Sequence, residues 1–360
     1  PKNGIVVNTK LTKERIKALK DITELERLFE WKWDKELSKI KFVILIDNDG
    51  DIHALFGYSD DKKVFTVPIV FDKNDGKRLP NTLENLKTKK IGIVGLGSLG
   101  SKVSDSLARM GVRDFYLVDD DLFMRGNIER HTLDWTSIGT HKVNSVKSRL
   151  LKISSQMKVQ VANINISGQE ATSALNSVLL SLSKCDLILD ATANPKAFNY
   201  LSAVSTTNNI PMVWGEIFAG GIGGLIARSR PGLDPDPLTM RALFNGYTQK
   251  SPYFKYHNNN EPYVAEIDEA QVMIASDADV SVVASHTTRF IADSLVENVN
   301  SIFPHSMYLI GMSNSWIFEE PFDTRPIETS NYIEKRNSKS QTEESEKAKD
   351  FIKSLLENMK

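Results

Sequence analysis

The sequence predicts an α/β protein: a mostly parallel sheet with helices on both faces, preceded by a small α+β element. Three observations carry that expectation. From Ile91 onward, apolar strand-like runs alternate with helical stretches of ten or more residues, the pattern of strand–helix–strand units. Residues 1–87 have a different rhythm, a helical spacing and then short strands joined by turns. The first strand of the repeat also runs directly into a glycine-rich turn and a helix, "KIGIVGLGSLGSKVSDSLARMG".

In the first segment Thr12 reads as an N-cap, and Ile16, Leu19, Ile22, Leu25, Leu28 and Phe29 recur at near-helical spacing, predicting one helix. "KFVILID", "IHALFGYS" and "VFTVPIVF" read as a meander of strands, with "NDGD" as a turn. The polar stretch "DKNDGKRLPNTLENLKTKK" is the connector. Next come "KIGIVGL" as a strand and a helix closed at Gly111, then "DFYLVD" as a strand and "HKVNSVKSRLLKIS" as a helix. "KVQVANINI", "CDLILDAT" and "PMVWGEIFAG" read as further strands, separated by the helices "ATSALNSVLLSLSK" and "PKAFNYLSAVSTTNN". After Pro231 a long irregular crossing segment is expected, to about Pro262. A helix over "DADVSVVASHTTRFIADSLVENV" and strands at "MYLIGM" and "SWIFEEPF" complete the repeat. The boundaries implied are a small α+β element and connector over 1–87, the main α/β domain over 88–327, and a charged tail over 328–360. In that tail Phe351, Ile352, Leu355, Leu356 and Met359 could share one helix stripe.

Composition excludes several classes. A net charge of −1 gives no sign of a nucleic-acid partner. No apolar run approaches the ~20 residues needed to span a bilayer, and the first residues lack the apolar core of a secretion signal. The single cysteine, Cys185, allows no internal disulfide. A cytoplasmic protein is expected, with no membrane partner.

Gly95, Gly97 and Gly100 place G-x-G-x-x-G between strand and helix. The first glycine allows a tight turn, the second a close approach of backbone to phosphate, and the third close helix–strand packing. The helix start at Ser98 and Leu99 then offers unpaired N–H groups and a positive dipole end to an anion. Asp119, at the end of the next strand, stands at the spacing of an acid that binds ribose hydroxyls. The segment thus reads as a Rossmann-like nucleotide loop, and at this point NAD and ATP remain equal. Asp121, Asn127, Arg130 and Lys142 follow at the C-terminal edge of the sheet. Hydride transfer leaves Asn127, Arg130 and Lys142 without a role. Cleavage at phosphorus needs such cations to stabilise the departing pyrophosphate.

These residues carry a resemblance. "IVGLGSLGSKVSDSLARMGVRDFYLVDDDLFMRGNIERH" with "IGTHKVNSVKSRL" resembles the ThiF/MoeB-type adenylating superfamily that includes the ubiquitin-activating enzymes. The matching features are the glycine loop, "LARMGV", Asp119 and Asp121, Asn127–Arg130, and Gly139 with Lys142-Val143, within about residues 88–325. The resemblance implies a ThiF-type adenylation domain, commonly a homodimer, that uses ATP and Mg²⁺. The substrate it implies is a ubiquitin-like or other protein with a C-terminal glycine, passed on to a thiol or amine or to a conjugating partner. It implies that Gly95, Gly97, Ser98, Leu99 and Gly100 cradle phosphate, that Asp119 and Asp121 hold ribose and neighbouring groups, and that Asn127, Arg130 and Lys142 hold the triphosphate. Arg130 and Lys142 would be catalytic through charge stabilisation. "ARSRPGLDPDPLTMRALF" is similar to a bacterial subgroup associated with anti-phage defence.

There are departures. Where the family has a second aspartate for Mg²⁺, this chain reads Asp190-Ala191-Thr192-Ala193-Asn194, so the expected metal residue is Asp190 in its place, or else Asp121 holds the metal with phosphate alone. No cysteine follows Cys185, so the thioester step of many relatives is not expected on this chain. A cluster of glycines at Gly215, Gly220, Gly221, Gly223 and Gly224 would let a substrate tail pass close by. Two alternatives stand beside adenylation: an NAD-dependent oxidoreductase, and a non-catalytic scaffold for a ubiquitin-like partner.

Overall fold

The computed structural model describes residues 4–29, 40–58, 62–69, 79–168, 171–248, 264–268, 271–296 and 301–332. Internal contacts divide the chain into two compact units, Pro1–Arg78 and Leu79–Lys360.

The first unit is a sheet of β1 (Gly4–Asn8), β2 (Ile40–Ile46), β3 (Ile52–Tyr58) and β4 (Lys63–Val67), in that spatial order, with α1 (Lys13–Ala18) and α2 (Ile22–Phe29). The meander β2–β3–β4 is antiparallel. β1 was not expected; it joins parallel to β2 with Gly4 opposite Phe42, a non-local pairing that a short apolar run does not announce. β4 stops before Pro68, which has no N–H for the ladder. The single helix expected here is two. Thr12 does cap α1 by accepting the Arg15 N–H. The chain then turns extended at Leu19, where the Lys20 carbonyl accepts the Val64 N–H at 2.9 Å. Asp21 restarts the helix by accepting the Thr23 N–H at 2.6 Å. The apolar spacing survives the break: Ile16, Leu19, Ile22 and Leu25 pack together with Val43, Leu45, Leu55 and Val64.

The second unit opens with β5 (Lys90–Val94), α3 (Ser98–Arg109), β6 (Asp114–Val118), α4 (Lys142–Leu151), β7 (Lys158–Ala162), α5 (Thr172–Leu182), β8 (Leu187–Asp190), α6 (Pro195–Asn208) and β9 (Met212–Ile217). β10 (Gly223–Ser229), α7 (Pro237–Thr248), the hairpin β11 (Val264–Asp268) and β12 (Gln271–Ile274), α8 (Asp277–Val296), β13 (Met307–Gly311) and β14 (Thr324–Pro326) follow. Eight strands form one sheet in the order β14-β13-β10-β9-β8-β5-β6-β7. β7 to β9 are parallel neighbours through β6, β5 and β8; β9, β10, β13 and β14 pair antiparallel. β5 is covered on both faces, so its apolar run is nearly continuous rather than alternating. Ile91 and Ile93 pack with Val103, Leu107, Val146, Leu150, Val283 and Ile291, which places α3, α4 and α8 on one face. Val94 and Ile188 pack with Val178, Phe198, Leu201, Met240 and Phe244, which places α5, α6 and α7 on the other.

Several expectations change. The crossing segment is not irregular throughout: α7 forms inside it, with Asp236 accepting the Leu238 and Thr239 N–H groups and Pro237 in the first turn. Residues 249–263 and the helix stripe of the tail lie outside the described residues. "SWIFEEPF" is no strand, because Trp316 and Phe322 hold φ of +59° and +71°, values that a pleated strand cannot contain. The final strand is Thr324–Pro326 instead. The strand read through "KVQVANINI" ends at Ala162.

Two glycines of the cluster have a cause inside the fold. A Cβ on Gly223 would stand 2.5 Å from the Phe318 ring, and one on Gly224 would stand 2.5 Å from Val283. The space freed by Gly223 and Gly224 is filled by the chain's own side chains. Among the described residues, no helix is long and apolar enough to cross a membrane.

Candidate nucleotide site

β5, β6 and β7 run to one side of the sheet in chain order, and β8 then returns to the other flank of β5. Open α/β sheets bind ligands outside the carboxyl ends of their strands at such a reversal. A cleft of about 720 Å³ lies there. It is lined by Gly95, Gly97 and Ser98 after β5, by Asp119, Asp120 and Asp121 after β6, and by Asn127, Glu129, Arg130, His131 and Lys142 farther on. Ile164, Asn165, Ile166 and Ser167 after β7, and Ala191, Thr192 and Asn194 after β8, close it.

Of the residues that the sequence singled out, Leu99, Gly100 and Asp190 do not line this cleft. Leu99 is buried in the core. Gly100 shapes the loop from behind, since a Cβ there would stand 2.0 Å from the Gly95 carbonyl oxygen. Gly95 holds φ +85° with the Ala191 backbone 2.7 Å from a Cβ position, so turn and close approach coincide. Asp190 is buried, with Oδ1 accepting the Thr192 N–H and hydroxyl at 2.9 and 2.7 Å. Burial pushes its carboxyl up to about 6.

Two ladders of contacts hold the acids and cations in place. Asp119 Oδ2 accepts the Leu96 N–H at 2.6 Å and its Oδ1 the Asp121 N–H at 2.9 Å. Burial pushes the Asp119 carboxyl above the usual range, and these N–H groups and Lys142 oppose that rise. Lys142 opens α4 and is buried; its Nζ donates to Asp121 Oδ2 at 2.6 Å. Asn127 accepts the Met124 N–H at 2.8 Å and so closes the turn Arg125–Glu129. Arg130 follows that turn, and its Nη1 donates to the Ala275 carbonyl at 3.3 Å. The Asp119, Asp120 and Asp121 carboxylates offer oxygens within 4.8 Å of one another.

Sequence reasoning passed over Asp120, Ile164, Ile166 and Thr192, and read His131 only as a residue flanking the phosphate loop that could assist there. His131 is buried beneath the glycine loop. Its Nε2–H donates to the Leu96 carbonyl at 2.7 Å and its Nδ1 accepts the Leu133 N–H at 3.1 Å. Burial lowers its pKa to about 4. With both nitrogens committed, it is not placed to shuttle protons.

Cys185 is buried before β8, at the strand end opposite the cleft. Its thiol donates to the Ser181 carbonyl at 3.6 Å, and burial pushes its pKa up to about 12. A thiolate nucleophile is therefore not formed there near neutral pH. Cys185→Ala is expected to leave nucleotide chemistry unchanged. Iodoacetamide should label wild-type Cys185 only under unfolding conditions; rapid labelling of the native protein would contradict the burial.

The ThiF family pattern matches residues 73–235, a span that contains every cleft residue named above. The molybdopterin-synthase adenylyltransferase of Escherichia coli is 32% identical over 133 residues, 37% of this chain and 51% of that protein. The ATP-dependent ubiquitin transferase-like protein Cap2 of Enterobacter hormaechei is 32% identical over 119 residues, 33% of this chain and 19% of that protein. The matched region thus spans about half or less of these relatives. Among solved structures, E. coli MccB with ATP has the same fold at a TM-score of 0.52 and 17% identity, covering 69% of this chain and 67% of that one. With its glycine loop, acidic strand end and Asn127–Arg130 turn gathered on one cleft, the chain carries a ThiF family domain.

Proposed function

We propose that the cleft binds ATP and that the chain joins its adenylyl group to the C-terminal carboxylate of a partner protein, releasing pyrophosphate. One observation carries this reading: a helix N-terminus, the ribose-type acid Asp119, and the cations Arg130 and Lys142 all line a single cleft. The apolar wall of Val118, Ile164 and Ile166 suits a base, and Asp119 suits the ribose beside it. The start of α3 offers Gly97 and Ser98 amides to phosphate.

In the reaction, an oxygen of the partner's carboxylate attacks the α-phosphorus, and the bond to the bridging oxygen of pyrophosphate breaks. The carboxylate is already ionised at neutral pH, so no general base is required. Arg130 and Lys142 counter the charge that moves onto the leaving pyrophosphate, and the rest is in-line positioning. The acidic run Asp119–Asp121 supplies the hard oxygen donors that Mg²⁺ takes alongside phosphate. When bound, Mg²⁺ would neutralise phosphate charge; among the acids in reach, these three line the cleft and Asp190 does not.

The relatives named as an adenylyltransferase and as a ubiquitin transferase-like protein support adenylation and a ubiquitin-like partner; a C-terminal glycine on that partner is what the sequence resemblance implies. The likeness of "ARSRPGLDPDPLTMRALF" to its subgroup supports a place in anti-phage defence. The test is ATP–pyrophosphate exchange, with intact-mass detection of an adenylyl adduct on such a partner. Exchange that depends on the partner is expected. ATP binding without exchange, across ubiquitin-like partners, would point to a scaffold and sink the catalytic reading.

A further inference from the structure

Leu96 lies between Gly95 and Gly97, where the chain leaves β5 and has not yet entered α3. Neither a sheet ladder nor a helix bond serves both of its backbone groups, yet each has a partner. Asp119 takes its N–H at 2.6 Å, and the His131 imidazole takes its carbonyl at 2.7 Å. The carbonyl and the Gly97 N–H belong to one planar trans peptide and point in opposite directions. Fixing the carbonyl on His131 therefore also fixes the direction of the Gly97 N–H, at a residue that lines the cleft.

We propose that His131 is a positioning residue for nucleotide binding, orienting the Leu96–Gly97 peptide so that the Gly97 N–H meets a phosphate of ATP. The inference rests on the nucleotide reading of the cleft and names a contributor within it. His131 is itself well fixed: Nδ1 accepts the Leu133 N–H at 3.1 Å, and its ring meets Phe123 edge to face at 5.0 Å between centroids. Only the neutral Nε2–H tautomer fits, because a second ring proton would face the Leu133 N–H.

The test compares ATP and adenosine affinities by calorimetry on the full chain, for wild type, His131→Leu and His131→Gln. Leucine keeps apolar contact with Phe123 but has neither donor nor acceptor. Glutamine supplies an amide N–H for the Leu96 carbonyl and an amide oxygen for the Leu133 N–H. His131→Leu is expected to weaken ATP by ~10-fold, the worth of one buried hydrogen bond, and to leave adenosine nearly unchanged. His131→Gln is expected to restore the wild-type ratio. A merely structural role would lower both affinities together with Tm, and an unchanged ratio in His131→Leu would overturn the proposal. Should the leucine variant not fold, a folded His131→Gln with a lowered ratio would overturn it equally. Wild type that binds neither ligand would instead remove the nucleotide reading itself.

Discussion

Arg130→Ala is expected to reduce ATP–pyrophosphate exchange by ~100-fold or more, the cost of removing one preorganised charge from a developing anion. Arg130 follows the turn closed by Asn127 and reaches across to the Ala275 carbonyl, so its guanidinium is held at the rim of the cleft. It belongs to no core cluster, and the change in Tm should be small. Arg130→Lys should recover only part of the loss, because an ammonium lacks the planar fork that grips two phosphate oxygens. Lys142→Ala should fail in the same assay, for a different reason. Lys142 is buried and paired to Asp121, so its removal leaves an uncompensated carboxylate beside the phosphates as well as a missing cation. Undiminished exchange in both alanine variants would remove the mechanism; circular dichroism on the same samples separates lost chemistry from lost fold.

The second large effect is expected at Gly100→Ala. The new methyl carbon would stand 2.0 Å from the Gly95 oxygen and 3.1 Å from its carbonyl carbon. These are backbone atoms, so nothing can swing aside, and either the loop or α3 must move. Overpacking of this kind costs about 1–3 kcal/mol or more. Denaturant melts and ATP titrations should both register it. Gly97→Ala is the informative contrast, since a Cβ there meets nothing within 4 Å. Its fold should be unaffected, while ATP affinity falls because the added carbon occupies the approach to the amide. Equal Tm and equal affinity in Gly100→Ala and wild type would show that the loop is not built as described.

Much of this was readable in the sequence, for identifiable reasons. The parallel core strands are buried on both faces, so runs such as Leu187–Leu189 appear as uninterrupted apolar stretches. Some site residues were legible because their type is dictated locally: in the cleft, Gly95 by its positive φ and Asp119 by its place at a strand end, and behind it Gly100 by the approach of helix to loop. The illegible ones owe their roles to partners far along the chain. His131 meets a carbonyl 35 residues away. Ile164 and Ile166 line the cleft only because β7 stops at Ala162, and the alternation of "NINI" reads equally well as more strand. The break between α1 and α2 is likewise decided by pairing to β4, against an apolar spacing that continues as if the helix did. The glycines of β10 marked a close approach without saying whose atoms approach, and Phe318 and Val283 are the side chains that do so at Gly223 and Gly224.

The ends of the eight-stranded sheet have a consequence for how copies of this chain behave at high concentration. β14, at one margin, is three residues long and closes with Pro326, which offers no N–H. β7, at the other, is five residues long and begins with Lys158. Short margins bearing a charge or a proline are poor templates for a further strand. Growth of this eight-stranded sheet into a fibril through its own margins is thereby discouraged.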